Sequence, residues 1–278
     1  MLNLKEKVAV VTGASRGCGR GIALALGAAG ATVYVTGRSV REQTSNRPTE
    51  TIDETAEMVA KRGGIGIAVP CDHAVDAEVE ELFDRVKQEQ GRLDILVNNA
   101  WGGNELAIES KPFWEISLEH WRNMFVVGVR SHFTASYFAV PLMLPHRRGL
   151  IINTSFWDRD KYIGHMFYDL AKNTMNRMAF GMAKDLSTYN IAAIALSPGF
   201  MRTERVIARF NARALNWQEI DELSRSESTE YIGRAVVALA ADPNILEKSG
   251  SILTVGKLAR EYGFTDIDGR QPPAFTID

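Results

Sequence analysis

Val8-Ala9-Val10-Val11-Thr12-Gly13-Ala14-Ser15-Arg16-Gly17-Cys18-Gly19 runs from an apolar tetrad straight into a turn with glycines at 13, 17 and 19. Val8–Val11 has the continuous apolar character of a strand buried on both faces. The helical stretch that follows carries Ile22, Leu24 and Leu26, and a second strand is expected at Thr32–Thr36. Glycines so placed permit a tight turn and let backbone N–H groups approach a pyrophosphate at the helix N-terminus. The spacing is Gly-x-x-x-Gly-x-Gly, not the commoner Gly-x-Gly-x-x-Gly. Strand, turn, helix and strand together point to dinucleotide binding, with Gly13, Ser15, Arg16, Gly17 and Gly19 as the residues nearest the phosphates.

Outward from this unit, strands and helices alternate. Further strands are expected at Ile65–Val69, Ile95–Asn98, Leu150–Thr154, Ile191–Leu196 and Ile252–Val255. That pattern predicts an α/β fold, a single Rossmann-type doubly wound domain over residues 1–278, with a seven-stranded parallel sheet and helices on both faces. Val75, Val79, Leu82, Phe83 and Val86 recur with helical period, while Asp76, Glu78, Glu80 and Glu81 face out. Ala171, Met175, Met178, Met182 and Leu186 mark the packed face of a later helix. Ser39–Glu54 is polar, contains Pro48, and is a long connection for this fold, either mobile or functional.

Composition sets limits. The 278 residues are 45% hydrophobic, enough for one large core without a dividing linker. A net charge of −2 gives no electrostatic case for nucleic acid. No apolar run reaches the roughly 18 residues of a membrane span, and the start lacks a signal-peptide core, so a cytoplasmic protein is expected. Cys18 and Cys71 are too few for a disulfide framework. The five histidines show no metal spacing, and His165, three residues before Tyr168, reads as a surface or loop residue, with lining of the pocket as the alternative.

The chemistry-bearing set is Ser155, Tyr168 and Lys172. Four residues separate Tyr168 from Lys172, about one helical turn, so ring and ammonium share a face. A fixed cation beside a phenol favours the phenolate and lowers its pKa from about 10, as a tyrosine acid/base requires. Ser155 closes the fifth strand, so its hydroxyl emerges at a strand's carboxyl end, where open α/β sheets bind ligands.

Thr12–Gly19, Asn98-Asn99-Ala100, Ser155, Tyr168 with Lys172, and Ser197-Pro198-Gly199 occur in the order found in the short-chain dehydrogenase/reductase family, which this chain resembles from about Lys5 to Val255. Asp242–Leu246, Leu258–Gly263 and Asp268-Gly269-Arg270 resemble, more narrowly, its member 1 subgroup. The resemblance implies hydride exchange between a nicotinamide and a carbonyl or alcohol carbon. Ser155 would hold the carbonyl oxygen, Tyr168 would protonate the alkoxide, and Lys172 would assist Tyr168 and hold the nicotinamide ribose. It also implies that Asp72 reads the adenine, that Asn98 ties the central strands, and that Asn99 lies at the cofactor. Pro198, Gly199 and Thr203 would anchor the carboxamide. A catalytically weak nucleotide-binding sensor or scaffold is the alternative.

Cofactor choice turns on the end of the second strand, Thr36-Gly37-Arg38-Ser39, where no acid awaits a ribose 2′-hydroxyl. Arg38 and Arg16 suit a 2′-phosphate, so NADP(H) is expected over NAD(H). Two positions depart from the family pattern. Gly128 stands where an asparagine is usual, which puts the proton relay in doubt, and Trp101 stands where glycine is usual. Trp101, Phe156, Trp157, Met166, Phe167, Phe200 and Met201 fall on strand-end loops or beside them, so a lipophilic or aromatic carbonyl compound is the expected substrate. Residues 203–226 are the expected lid, with Arg205, Arg209 and Arg213 solvated. The helix from Phe125 to Leu144 is apolar on nearly every face, which implies a homodimer or homotetramer, or else cover by the C-terminal tail, residues 257–278.

Overall fold

The apolar runs form seven strands: β1 (Val8–Val11), β2 (Thr32–Gly37), β3 (Ile65–Pro70), β4 (Ile95–Asn98), β5 (Gly149–Thr154), β6 (Ile191–Ser197) and β7 (Ile252–Thr254). They are seen in a computed structural model that describes residues 2–41, 50–157, 161–211 and 217–277. Between them lie α1 (Gly17–Ala28), α2 (Ile52–Lys61), α3 (Asp76–Gln90), α4 (Glu119–Trp121), α5 (Ser131–Met143), α6 (Met166–Leu186), α7 (Glu204–Arg209), α8 (Asp221–Ser224), α9 (Thr229–Ala241) and α10 (Val255–Tyr262). The sheet is parallel, in the order β3-β2-β1-β4-β5-β6-β7, a Rossmann-type arrangement. Val255, expected in the last strand, instead opens α10.

The chain packs as two compact units. The first comprises Met1–Pro70, Pro198–Pro243 and Leu253–Phe275; the second comprises Cys71–Ser197, Asn244–Ile252 and Thr276–Asp278.

In the first unit β1 pairs with β2 from Val8↔Thr32, and β2 with β3 from Thr32↔Ile65. Helix α1 crosses α9 at very short range. A Cβ on Gly21 would lie 1.9 Å from the Thr229 carbonyl oxygen, and one on Gly233 would lie 2.6 Å from the Gly21 oxygen. Only residues without a side chain let the two backbones meet so closely. The C-terminal stretch fastens onto α9: Tyr231 donates to the Pro272 carbonyl at 3.1 Å, Arg234 to the Thr265 carbonyl at 2.6 Å, and the Ser228 N–H to Asp266 at 2.7 Å.

In the second unit β4, β5 and β6 pair in register from Ile95↔Leu150 and Leu150↔Ala192, and all three are buried along their length. Helix α3 buries Val79, Leu82, Phe83 and Val86. Val75 departs from the expected stripe: it precedes the helix as its N-cap and is exposed. Between α4 and α5 the backbone is π-helical over Arg122–Arg130. There the Ser131 hydroxyl lies 2.7 Å from the Val127 carbonyl and 2.9 Å from that of Gly128, an insertion of the kind that opens a helical ladder. Helix α5 continues through Pro141 and gives way at Leu144 to a short 3-10 turn.

The buried face of α6 is rotated from the expected one. It consists of Ala171, Lys172, Met175, Asn176, Ala179, Ala183 and Leu186, whereas Met178 and Met182 are half-buried. Two polar residues, Lys172 and Asn176, interrupt the apolar inner face.

Candidate active site

The first unit holds the phosphate turn. Gly13 (φ +64°) and Gly17 (φ +56°) adopt the left-handed conformation that side chains disfavour. The Gly17 N–H, at the start of α1, donates to the Glu204 carboxylate at 2.9 Å. An anionic oxygen is thus accepted where a pyrophosphate is expected, so the turn fits a dinucleotide. Gly19 is buried in the first turn of α1, and the buried Ser15 offers its carbonyl to Arg20 at 2.6 Å.

Arg16 is exposed and paired with Glu50 at 2.9 Å, while Arg38 is exposed just beyond β2. Glu50 lies within the long connection after β2 rather than at the strand tip, where no spacing marks it. Residues 42–49 of that connection, Pro48 among them, lie outside the described residues.

Pro198 and Gly199 are half-buried beyond β6. The loop they begin is braced by Glu227, another residue not anticipated. Its N–H donates to the Phe200 carbonyl at 2.9 Å, and its carbonyl accepts from Arg202 N–H at 2.8 Å. Its carboxyl accepts from the Gly199 N–H, and burial pushes its pKa up to about 8. Thr203 caps α7, its hydroxyl accepting from Val206 N–H at 3.2 Å. Of the expected lid, α7, a 3-10 turn at Trp217–Glu219 and α8 are seen, with Arg205 and Arg209 exposed. Residues 212–216, including Arg213, lie outside the described residues. Arg202 stacks on Trp217 with its guanidinium carbon 3.6 Å from the ring centroid.

The second unit brings the expected catalytic residues together. Ser155 is buried at the end of β5, its hydroxyl 2.6 Å from Asn176 Oδ1 and 3.1 Å from the Lys172 carbonyl. The strand-end serine is therefore locked to the stretch of α6 that carries Tyr168 and Lys172. Asn176 was not foreseen; its signal was its spacing, four residues after Lys172 on the same face. The Lys172 ammonium lies 4.0 Å from the centroid of the Trp101 ring and 5.8 Å from that of Tyr168. Trp101 and Phe156 each meet the Tyr168 ring edge to face with centroids 5.8 Å apart. Burial pushes the Tyr168 phenol above its usual value, opposite to the direction expected from Lys172 alone.

His165 is neither a surface nor a free loop residue. It is buried and caps α6, Nδ1 accepting from Tyr168 N–H at 3.3 Å, with the His120 ring centroid 4.6 Å away. Desolvation holds its imidazole below the ordinary range. Asn98 donates to Ser136 and to Asn153, each at 2.9 Å, tying β4 to β5 and α5. Asn99 is half-buried beyond β4. Asp72, beyond β3, accepts from Ala74 N–H at 3.0 Å. His73 is buried against Cys71, 3.7 Å away, and desolvation lowers its pKa to about 4. Among the described residues, no group of three or more His, Cys, Asp or Glu could hold a metal ion.

Residues 7–214 match the family model for short chain dehydrogenases. The chain belongs to the short-chain dehydrogenase/reductase family. This short-chain dehydrogenase/reductase is 40% identical over 276 residues to Dehydrogenase/reductase SDR family member 1 of Mus musculus, covering 96% of this chain and 85% of that one. Its fold matches a short chain dehydrogenase from Mycobacterium thermoresistibile with TM-score 0.83 at 25% identity, over 99% and 95% of the two chains. It also matches a 7α-hydroxysteroid dehydrogenase complexed with NADH and 7-oxo glycochenodeoxycholic acid, with TM-score 0.73 at 26% identity over 97% and 96%. Members of the family are oxidoreductases that bind a nicotinamide dinucleotide. Among the described residues, no helix is long and apolar enough to cross a membrane.

Proposed function

We propose that this chain is a cytoplasmic, NADP(H)-dependent carbonyl reductase or alcohol dehydrogenase acting on a lipophilic or aromatic small molecule. The observation that carries the reading is the anchoring of Ser155 to α6 within one stretch of Tyr168 and Lys172. When bound, the nicotinamide dinucleotide supplies or takes up the hydride. Gly13, Ser15, Arg16, Gly17, Gly19, Arg38, Asp72, Asn99, Pro198, Gly199 and Thr203 would hold it, with Tyr168 and Lys172 at its ribose.

Ser155 turns its hydroxyl proton from Asn176 to the substrate oxygen. Tyr168 gives its phenolic proton to the forming alkoxide, and the Lys172 ammonium stabilises the phenolate left behind. A phenol that burial keeps protonated suits reduction. Trp101 and Phe156, both against the Tyr168 ring, support an apolar substrate. The complex of 7α-hydroxysteroid dehydrogenase with NADH and 7-oxo glycochenodeoxycholic acid, a carbonyl compound, is consistent with that class.

Phe133 and Tyr137 on α5 are 57% and 66% exposed, and we read this face as the surface for self-association. Light scattering at micromolar concentration is expected to give a dimer or tetramer; a mass near 30.8 kDa throughout would refute it. A panel of ketones, quinones and aldehydes, followed by loss of NADPH absorbance, tests the activity. Turnover that Tyr168→Phe abolishes supports the enzyme. NADPH binding with no turnover across the panel favours the sensor or scaffold.

A further inference from the structure

Trp101 occupies a slot that two glycines keep open. A Cβ on Gly128 would lie 2.7 Å from the ring carbons Cε3 and Cζ3 of Trp101, and one on Gly103 would lie 2.3 Å from its Cζ2. Neither distance is compatible with any larger residue while the indole stays in place. Gly128 belongs to the π-helical segment, a local geometry frequent at functional sites. The Lys172 ammonium stands 4.0 Å from the indole centroid and 3.8 Å from Met175 Sδ. The Tyr168 ring meets the same indole edge to face.

A lysine carries its charge on a flexible four-carbon stem, and an ammonium free to wander would stabilise a neighbouring phenolate poorly. The quadrupole of an indole face attracts a cation, most strongly where water is excluded, and Lys172 is buried. An aromatic plane at this point therefore restricts where the charge can stand without neutralising it, as a carboxylate would.

We propose that Trp101 is the positioning residue for Lys172, fixing its ammonium beside Tyr168, and that Gly103 and Gly128 are small in order to admit it. The two departures from the family pattern, tryptophan at 101 and glycine at 128, are then one device. This rests on the assignment of Tyr168 and Lys172 to catalysis and deepens it.

The test needs one readout that requires no substrate. In protein labelled with 13C-lysine, the Lys172 ε-methylene signal, identified by its absence in Lys172→Ala, is expected upfield of the other lysines because it lies over the indole. Trp101→Leu should return it to the ordinary position, and Trp101→Phe should keep part of the shift. Gly128→Ala, whose new methyl displaces the indole, should behave as Trp101→Leu does, and the double variant should be no worse than either single one.

With a compound from the carbonyl panel and its alcohol product, Trp101→Leu should lower kcat about tenfold. In the oxidative direction its acid limb should move to higher pH by about one unit, since Tyr168 loses its nearby charge. Trp101→Phe should restore most of both. A Lys172 signal at the ordinary position in the wild type, or a Trp101→Leu enzyme with unchanged kcat and pH limb, would overturn the proposal. Substantial turnover by Tyr168→Phe would instead overturn the catalytic assignment itself, so the two failures are distinguishable. Thermal unfolding of each variant separates loss of fold from loss of positioning.

Discussion

The two units place their chemistry in different parts of the chain's covalent structure. In the first, the work falls to the backbone: left-handed glycines at 13 and 17, an N–H that binds a carboxylate, and a helix crossing at Gly21 and Gly233 that admits no side chain. In the second it falls to side chains on a buried helical face, where Ser155, Lys172, Asn176 and Trp101 fix one another through hydrogen bonds and a cation over a ring. A backbone site is sensitive to almost any added atom, whereas a side-chain site is sensitive to particular atoms and can be dissected one group at a time.

That contrast can be broken by experiment. Tyr168→Phe removes a single oxygen and should cost turnover on the order of 10³-fold while leaving NADPH affinity within a few-fold. Fluorescence titration beside steady-state kinetics would show whether the two losses are in fact linked. Gly21→Ala adds a single carbon, yet its Cβ would strike the Thr229 carbonyl, and we expect a loss of ~3 kcal/mol in stability. A variant that melted with the wild type would refute the backbone reading of the first unit. Asn176→Leu takes the acceptor from Ser155 and should reduce kcat about tenfold with little change in NADPH affinity.

Glu227 tests the boundary between the two styles, since it is a side chain serving a backbone loop. Folded, it keeps its proton to about 8; an ordinary glutamate loses it near 4.5. The folded state therefore binds the proton more tightly, and this contribution to stability, complete below about 4.5, is lost as pH rises through about 8. Denaturant titrations should show wild-type stability falling across that window and Glu227→Gln falling less. The smallest effect is expected at the cofactor's 2′ position. Arg38→Asp should shrink a preference for NADPH over NADH by about tenfold, judged by the two dissociation constants. Equal constants in the wild type would remove the argument from Arg16 and Arg38.

Much of this was legible beforehand, for reasons that differ between the units. Glycines cannot hide: Gly13, Gly17 and Gly19 announced the turn because few other roles demand that residue at that spacing. The strands were visible because parallel strands buried on both faces must be apolar throughout, as β4, β5 and β6 are. Ser155, Tyr168 and Lys172 were marked as candidates by spacing and order. The residues that support them were not. Asn176 and Lys172 sit on the inner face of α6, which a search for apolar periodicity set aside in favour of Met178 and Met182. Glu50 and Glu227 reach their places through connections, where no period guides the eye. Trp101 and Gly128 were each noticed as oddities, but their complementarity is a matter of shape across 27 positions of sequence, and only coordinates reveal it.

The crossing of α1 by α9 has a consequence for the order in which the molecule can be completed. Helix α1 is synthesised well before the partner that covers it, which begins at Thr229, and the residues that fasten that partner, Thr265, Asp266 and Pro272, come later still. The second unit draws most of its residues from the unbroken stretch Cys71–Ser197. Contacts between distant segments form slowly because a long loop must close before they repay its entropy. On a growing chain, then, β4, β5 and β6 are expected to acquire protection from hydrogen exchange first. The glycine turn, although it is read earliest in the sequence, is expected to become rigid among the last parts of the molecule; pulse labelling during refolding that found α1 protected before β5 would reverse this order.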